Sequence, residues 1–355
     1  MKRFHRANRL RAQVGFSLIE IMVGIVIGMI AVLVIYQVFS AAEGLRRNTT
    51  SVGDAQQNGL LSSFMLNIEV ANASNGIADA MTELGACAAT ADIATTFRPI
   101  PLLITDGGAS SDSFTVNYSL SQRVVTPVQF SQNAAAGAPY EVISPNGFKT
   151  DDLILAISSS TPAVCDLTRV VSVAADPGSV NPLDQLSGQV KVTHTGAPDA
   201  FTADAVLLNL GPKSSGQRVT FDVNAGVLRS TSLWDSNGAP TAQPPNPIAS
   251  NVVMMKLMYG IDNGAGGVTW NAAVGAWSPA NVLAADNTTL KKIRAIRLGI
   301  VVQGEQFDKA LALETPSPTW TLFTPDVNLT GALLPGFRYR TYETIIPLRN
   351  PVWNS

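Results

Sequence analysis

Histidine and cysteine are almost missing from this 355-residue chain, which has two of each. Their scarcity narrows the chemistry. No Cys/His cluster has zinc-site spacing. No G-x-x-x-x-G-K-[ST] loop is present to hold nucleotide phosphates, so a nucleotide-driven motor is excluded. No G-x-S-x-G elbow presents a nucleophile. Beyond the first fifteen residues the only histidine is His194, in the strand-like run Val192-Thr193-His194-Thr195. A hydrogen-bonded strand residue is the plainer reading of it than a catalytic group. Asp151-Asp152 and Asp262-Asn263-Gly264 carry oxygens able to ligate calcium, but without EF-hand spacing they read as solvated turns. Charge is scarce too. Only 14% of residues are charged and the formal net charge is −2, so nothing favours binding of nucleic acid. The expectation is no enzyme, no catalytic residue, no metal and no cofactor.

What the chain does have is one long apolar run. Residues 16–36 hold a single charge, Glu20. As a helix rising ~1.5 Å per residue, the run spans ~31 Å, close to the ~30 Å hydrocarbon core of a bilayer. Ahead of it stand Lys2, Arg3, Arg6, Arg9 and Arg11 with no acid, which keeps the leader cytoplasmic and sends the rest outward. A secretory signal peptide also begins this way, but this run is too long and Ser40-Ala41-Ala42 makes no clean cleavage site. An uncleaved anchor fits the hydropathy. Neither reading explains Glu20, because a carboxylate within a membrane segment is costly and points to function.

Gly15-Phe16-Ser17-Leu18-Ile19-Glu20, behind a basic leader and before a membrane-length run, resembles the processing site of type IV prepilins and type II secretion pseudopilins. The resemblance implies cleavage by a prepilin peptidase between Gly15 and Phe16 and N-methylation of Phe16. It also implies a role for Glu20 in assembly, opposite the amino terminus of a neighbouring subunit. The leader would be residues 1–15 and the membrane and assembly helix 16–36. Without the leader, acids outnumber bases by seven. Gly24 and Gly28 form a G-x-x-x-G pair that lets membrane helices pack closely, though such pairs also arise by chance.

No proline occurs from 37 to 73, so the helix is predicted to continue as an amphipathic half over 37–75. Leu45, Val52, Ala55, Leu61, Phe64, Ile68 and Ala71 recur at near-helical spacing and predict the stripe that lies on the globular domain. Residues 72–76 read as the stop. Residues 76–112 look irregular. Strands are predicted at 113–120, 152–158, 168–174, 188–195, 205–210, 217–223 and 227–233, with a hairpin across Asn224-Ala225-Gly226. A Pro-rich connector covers 238–247. Residues 248–261 suit a short helix or a strand, 262–289 a long loop, and 293–302 and 337–348 strands. Arg294 and Arg297 fall on opposite strand faces, so at least one is expected at a sheet edge or beside an acid. Trp270 and Trp277 in the loop suit a glycan or partner surface, or packing on the core. Cys87 and Cys165 read as a disulfide in an exported domain, with two buried thiols as the other reading.

Residues 259–262, 293–302 and 339–350 are similar to the PilW group of minor pilins and, more loosely, to J-type pseudopilins. The resemblance implies an α+β, pilin-like fold: a long N-terminal helix packed on an antiparallel sheet domain, here 76–355, with long loops. It implies a minor pilin that primes a type IV pilus and enters it, at its tip. The partners would be other minor pilins, the major pilin, prepilin peptidase and the inner-membrane assembly platform. The chain would sit in the bacterial inner membrane, domain in the periplasm, and then in the pilus at the cell surface. A secretion pseudopilin and a pilus-borne adhesin are the alternatives.

Overall fold

The computed structural model describes residues 17–77, 100–120, 126–143, 147–158, 164–175, 190–196, 198–212, 218–233, 242–314, 320, 323 and 333–348. Gly15, Phe16 and Cys87 lie outside them. Helix α1 runs Leu18–Asn72, as the absence of proline allows. The chain divides into two units, Met1–Val52 and Gly53–Ser355.

In the first unit the helix is exposed throughout 18–47. By length and composition it is apolar enough to cross a membrane. Beyond the apolar run, Arg47 Nε pairs with Glu43 at 2.9 Å one turn earlier. The Thr49 and Thr50 hydroxyls donate back to the carbonyls of Leu45 and Arg46.

In the second unit the rest of α1 covers a core built from two antiparallel sheets. The first sheet has the order β1-β2-β9-β10-β11: Leu102–Thr105, Ser113–Asn117, Arg218–Asn224, Val227–Ser232 and Asn246–Ser250. The second has the order β13-β12-β14-β15: Val268–Asn271, Val252–Asp262, Ile293–Gln303 and Tyr339–Pro347. From the helix come Ala55, Leu66, Val70 and Ala73; from the sheets come Ile104, Phe114, Phe221, Leu257, Tyr259, Ile296 and Ile346.

The helix presents only part of the predicted stripe: Ala55 is buried in the core and Ala71 packs against it. Leu61, Phe64 and Ile68 point outward, 46%, 63% and 40% exposed. The inward residues are Ala55, Gly59, Ser62, Leu66, Val70 and Ala73, which follow helical spacing as well. The small residues Ala55, Gly59 and Ser62 among them permit close approach. A Cβ on Gly59 would come within 2.0 Å of the Tyr342 ring on β15. The helix ends as predicted, with Ser74 (φ 66°) and Gly76 (φ 70°) in the left-handed region.

Between the paired strands β2 and β9 an insertion makes a third sheet, ordered β3-β8-β5-β6-β7-β4. Its strands are Val128–Gln129, Val206–Pro212, Asp152–Ile157, Cys165–Ala175, Val190–His194 and Tyr140–Val142. The two ends of this sheet meet. Phe130 bridges Val142, Ser131 N–H donates to Glu141 O at 2.8 Å, and Ile143 N–H donates to Gln129 O at 3.2 Å. A six-stranded antiparallel barrel results, closed so that no long edge is left. Phe130, Tyr140, Ile154, Val192, Phe201 and Leu207 belong to its core. Leu153, Leu155 and Ile157, on the other face of β5, pack with Leu208, Leu210, Cys165 and Ile77.

The predicted strands all form, with shifted ends. The hairpin turn is Ala225-Gly226, both at positive φ (50° and 77°), the signature of a type I′ turn. Three expectations are corrected, at β1, the connector and the loop 262–289, and the strand reading of 248–261 holds. Strand β1 lies in the stretch read as irregular. The end of the Pro-rich connector pairs with β10 as β11. Residues 248–261 are strand on both sides of a break at Asn251 (φ 62°). The expected loop 262–289 carries β13, a 3-10 turn at Gly275–Trp277 and two short helices, α2 (Pro279–Ala284) and α3 (beginning at Asn287).

Candidate assembly site

Glu20 stands in the first helical turn, where the aligned peptide dipoles favour a negative charge. The amides of Glu20 and Ile21 donate to the Ser17 carbonyl at 3.0 and 3.2 Å, which makes Ser17 the residue that opens the helix. Ser17 and Glu20 therefore have S-x-x-E capping-box spacing. That spacing is legible in the sequence itself. Gly24 and Gly28 lie on the same exposed stretch, and a Cβ added at either would meet nothing within 4 Å.

Further along, the outward face of the second unit's helix carries Leu60, Leu61, Phe64 and Ile68, all at least 40% exposed. The inward face is fixed by two polar ties. Tyr342 O–H donates to Gln56 O at 3.3 Å. Tyr118 O–H donates to Glu69 Oε2 at 3.2 Å. Burial raises the Glu69 carboxyl above its ordinary range, against the smaller opposing effect of that hydrogen bond, and burial raises the Tyr118 hydroxyl as well.

The remaining candidates have structural partners. His194 is buried against Tyr140 (ring centroids 4.2 Å apart), with Nε2 2.9 Å from Ala138 O. Asp151 pairs with Arg169 at 3.1 Å. Asp152 Oδ2 accepts from Asn209 Nδ2 at 2.8 Å and from Lys149 N–H at 3.0 Å. Asp262 accepts from Gly264 N–H and from Arg294 Nε, at 2.8 and 3.2 Å. These two hydrogen bonds hold its carboxyl below the ordinary range. Arg294 thus has its acid, whereas Arg297 lies over the Trp270 ring, 4.1 Å from its centroid. Trp277 packs at the main core near Tyr259, centroids 6.2 Å apart. Trp277 thus fits the packing reading, while Trp270 lies outside the core on β13. Cys165 is fully buried on the outer side of the barrel, and no free cysteine occurs among the described residues.

Residues 220–350 match the family Type IV Pilus-assembly protein W. Residues 10–36 match the prokaryotic N-terminal methylation motif. Together they support a type IV minor pilin of the PilW group. The PilW-matched span runs from β9 through β15 and so contains the whole four-stranded sheet. The barrel falls outside both matched spans. Among solved structures, a type IV-like pilin from Thermus thermophilus is similar at 15% identity, over 57% of this chain and 86% of that one, with a TM-score of 0.23. No curated relative matches the chain.

Proposed function

We propose that the chain is a minor pilin that primes assembly of a type IV pilus and stays in it, at the tip. The observation that carries this reading is the methylation motif joined to a helix whose exposed apolar residues continue past the membrane-length run. Leu60, Leu61, Phe64 and Ile68 are left uncovered by their own domain, as a helix must be if it is to pack among other subunits' helices. In this reading residues 1–15 are removed by prepilin peptidase after Gly15, Phe16 is N-methylated, residues 16–36 anchor the chain, and 37–75 join the anchor to a periplasmic domain. Other minor pilins, the major pilin and the assembly platform are the partners. The family match weighs for a pilus over a secretion pseudopilus.

Priming sets how many filaments start, while elongation sets how long they grow. Deleting the gene is therefore expected to reduce the number of pili per cell and leave the length of those that form unchanged. Label against the 126–212 region should mark one filament end. N-terminal sequencing of the membrane-extracted protein should begin at methylated Phe16. Unchanged pilus number, or a chain that still begins at Met1 beside an active peptidase, would refute the reading.

A further inference from the structure

The loop between β1 and β2 brings a lysine and two aspartates together at the edge of β12. Strand β13 pairs only with residues 259–262 of β12. Before that point the edge is filled by the loop: Asp112 N–H donates to Met255 O at 2.8 Å, and Met255 N–H donates to Ser111 Oγ at 3.1 Å. Lys256 enters here. Its Nζ donates to Asp112 Oδ1 at 2.8 Å and to Gly108 O at 2.7 Å, and lies 3.8 Å from Asp106 Oδ1. The Lys256 and Asp112 side chains are only 6% and 4% exposed. Two amides grip the Asp112 carboxyl: Gly107 N–H donates to Oδ1 at 2.9 Å and Leu257 N–H to Oδ2 at 2.8 Å. Burial raises the Asp112 carboxyl above its ordinary range, opposed by the Lys256 hydrogen bond, the two amides and the Lys256 charge.

Such a site is expensive for two full charges, because a low-dielectric interior restores little of their lost hydration. What the site does hold is a primary amine in contact with a carboxyl group. Those are the two reactants of amide formation.

We propose that Lys256 and Asp112 condense to an intramolecular amide crosslink. Nζ attacks Cγ, the N–Cγ bond forms, and one Cγ–O bond breaks to release water. Asp106 takes the surplus proton from the attacking nitrogen and returns it to the departing hydroxyl. The Leu257 amide holds Oδ2 as the negative oxygen of the tetrahedral intermediate, as preorganised donors do in acyl transfer, while the Gly107 amide stays on Oδ1, the oxygen that departs. Nothing is oxidised or reduced and no co-reactant is needed. Two groups held in contact react as if at very high concentration. Burial also limits the water that would reverse the step. The bond would join positions 144 residues apart and fasten the five-stranded sheet to the four-stranded one. It stands on the second unit alone and holds whether or not the chain enters a filament.

Mass spectrometry of the full-length, detergent-extracted and thiol-reduced protein tests this. The expected result is a chain lighter by one water, with a branched peptide joining the Asp112 and Lys256 segments. That peptide should be absent in Lys256→Met. It should be depleted at least tenfold in Asp106→Asn, which keeps the pair and loses the proton carrier. Wild-type protein at its full uncondensed mass, with the two segments recovered only as separate peptides, overturns the crosslink. A full yield of branched peptide in Asp106→Asn overturns the role of Asp106.

Discussion

Glu20 is the single charge of an apolar run, and Glu69 is a partly buried carboxylate. Two uses of Glu20 are separable by one substitution. If it only completes the helix cap with Ser17, glutamine serves as well as glutamate, because either side chain can accept the amide hydrogen bond. If its charge answers an amino terminus on a neighbouring subunit, glutamine fails, and a buried pair stripped of one partner loses about 3–5 kcal/mol. We expect Glu20→Gln and Glu20→Ala to leave membrane levels of the protein near wild type and to lower its recovery in sheared filaments alike. Immunoblots of both fractions decide it, and normal recovery of the glutamine variant would reduce Glu20 to a cap. Glu69 makes a different prediction. Its carboxyl is raised in the folded state by burial, so the folded protein binds the proton more tightly than the unfolded one. The stabilisation from that proton is complete below the ordinary value of 4.5 and is lost as the pH rises through the folded value. Glu69→Gln keeps an acceptor for the Tyr118 hydroxyl and carries no charge. Its Tm should exceed that of wild type at pH 7, and the gap should close as the pH falls towards 4.5. A gap independent of pH would contradict the burial argument.

Among the elements, α1 shows how far sequence pattern reaches. Its existence and its end were legible from composition, the missing prolines and the Ser/Asn/Gly stop. Its buried face was legible only in part, through Ala55 and Ala71. Two apolar faces share the helix, and the one richer in large residues, with Leu61, Phe64 and Ile68, is the one left exposed. The chosen face is the smoother one, because steric fit against β15 decides it and not hydrophobicity alone. Gly59→Ala should therefore be destabilising despite alanine's better helix propensity. Overpacking against the Tyr342 ring costs about 1–3 kcal/mol, against a propensity gain of up to ~1 kcal/mol. Thermal melts of the variant would measure the balance, and an unchanged or raised Tm would show that the ring moves aside freely. The strands divide along similar lines. Short Val/Ile/Leu-rich runs bounded by turn residues announced themselves, β5 and β14 included although each is buried on both faces. Strand β12 was ambiguous because its apolar run is long enough for a helix, and such a run fits helix and strand equally. Strands β3 and β4, two and three residues long, carry too little sequence to show a period. Barrel closure rests on those two alone, so it could be seen only in three dimensions.

At the scale of the whole second unit, the sheets that hold the PilW-matched span carry a closed barrel inserted between two neighbouring strands. An inserted module needs something to hold it to its host, and here the ties lie near the end of α1. Ile77 packs with Leu153, Leu155 and Leu208 on the outer face of the barrel. Ser119 N–H donates to Asn75 O at 2.7 Å, and the Ser119 hydroxyl donates to Asn209 O at 2.7 Å. Cys165 belongs to the same patch. We propose that its partner is Cys87, the other cysteine of the chain. The 77 intervening residues form a loop whose closure restricts the unfolded chain by roughly 4–5 kcal/mol in the chain-entropy model. That bond would fasten the segment after α1 to the barrel and leave the main core untouched. Replacing both cysteines with serine should lower the Tm by several degrees. Hydrogen exchange should quicken in β5, β6 and β8 well before it changes in β12 and β14, because the two sheets draw on separate cores. Thiol labelling of the unreduced, denatured protein supplies the direct check: two reactive thiols would exclude the pairing. Uniform loss of protection in all three sheets would show instead that barrel and host unfold as one body.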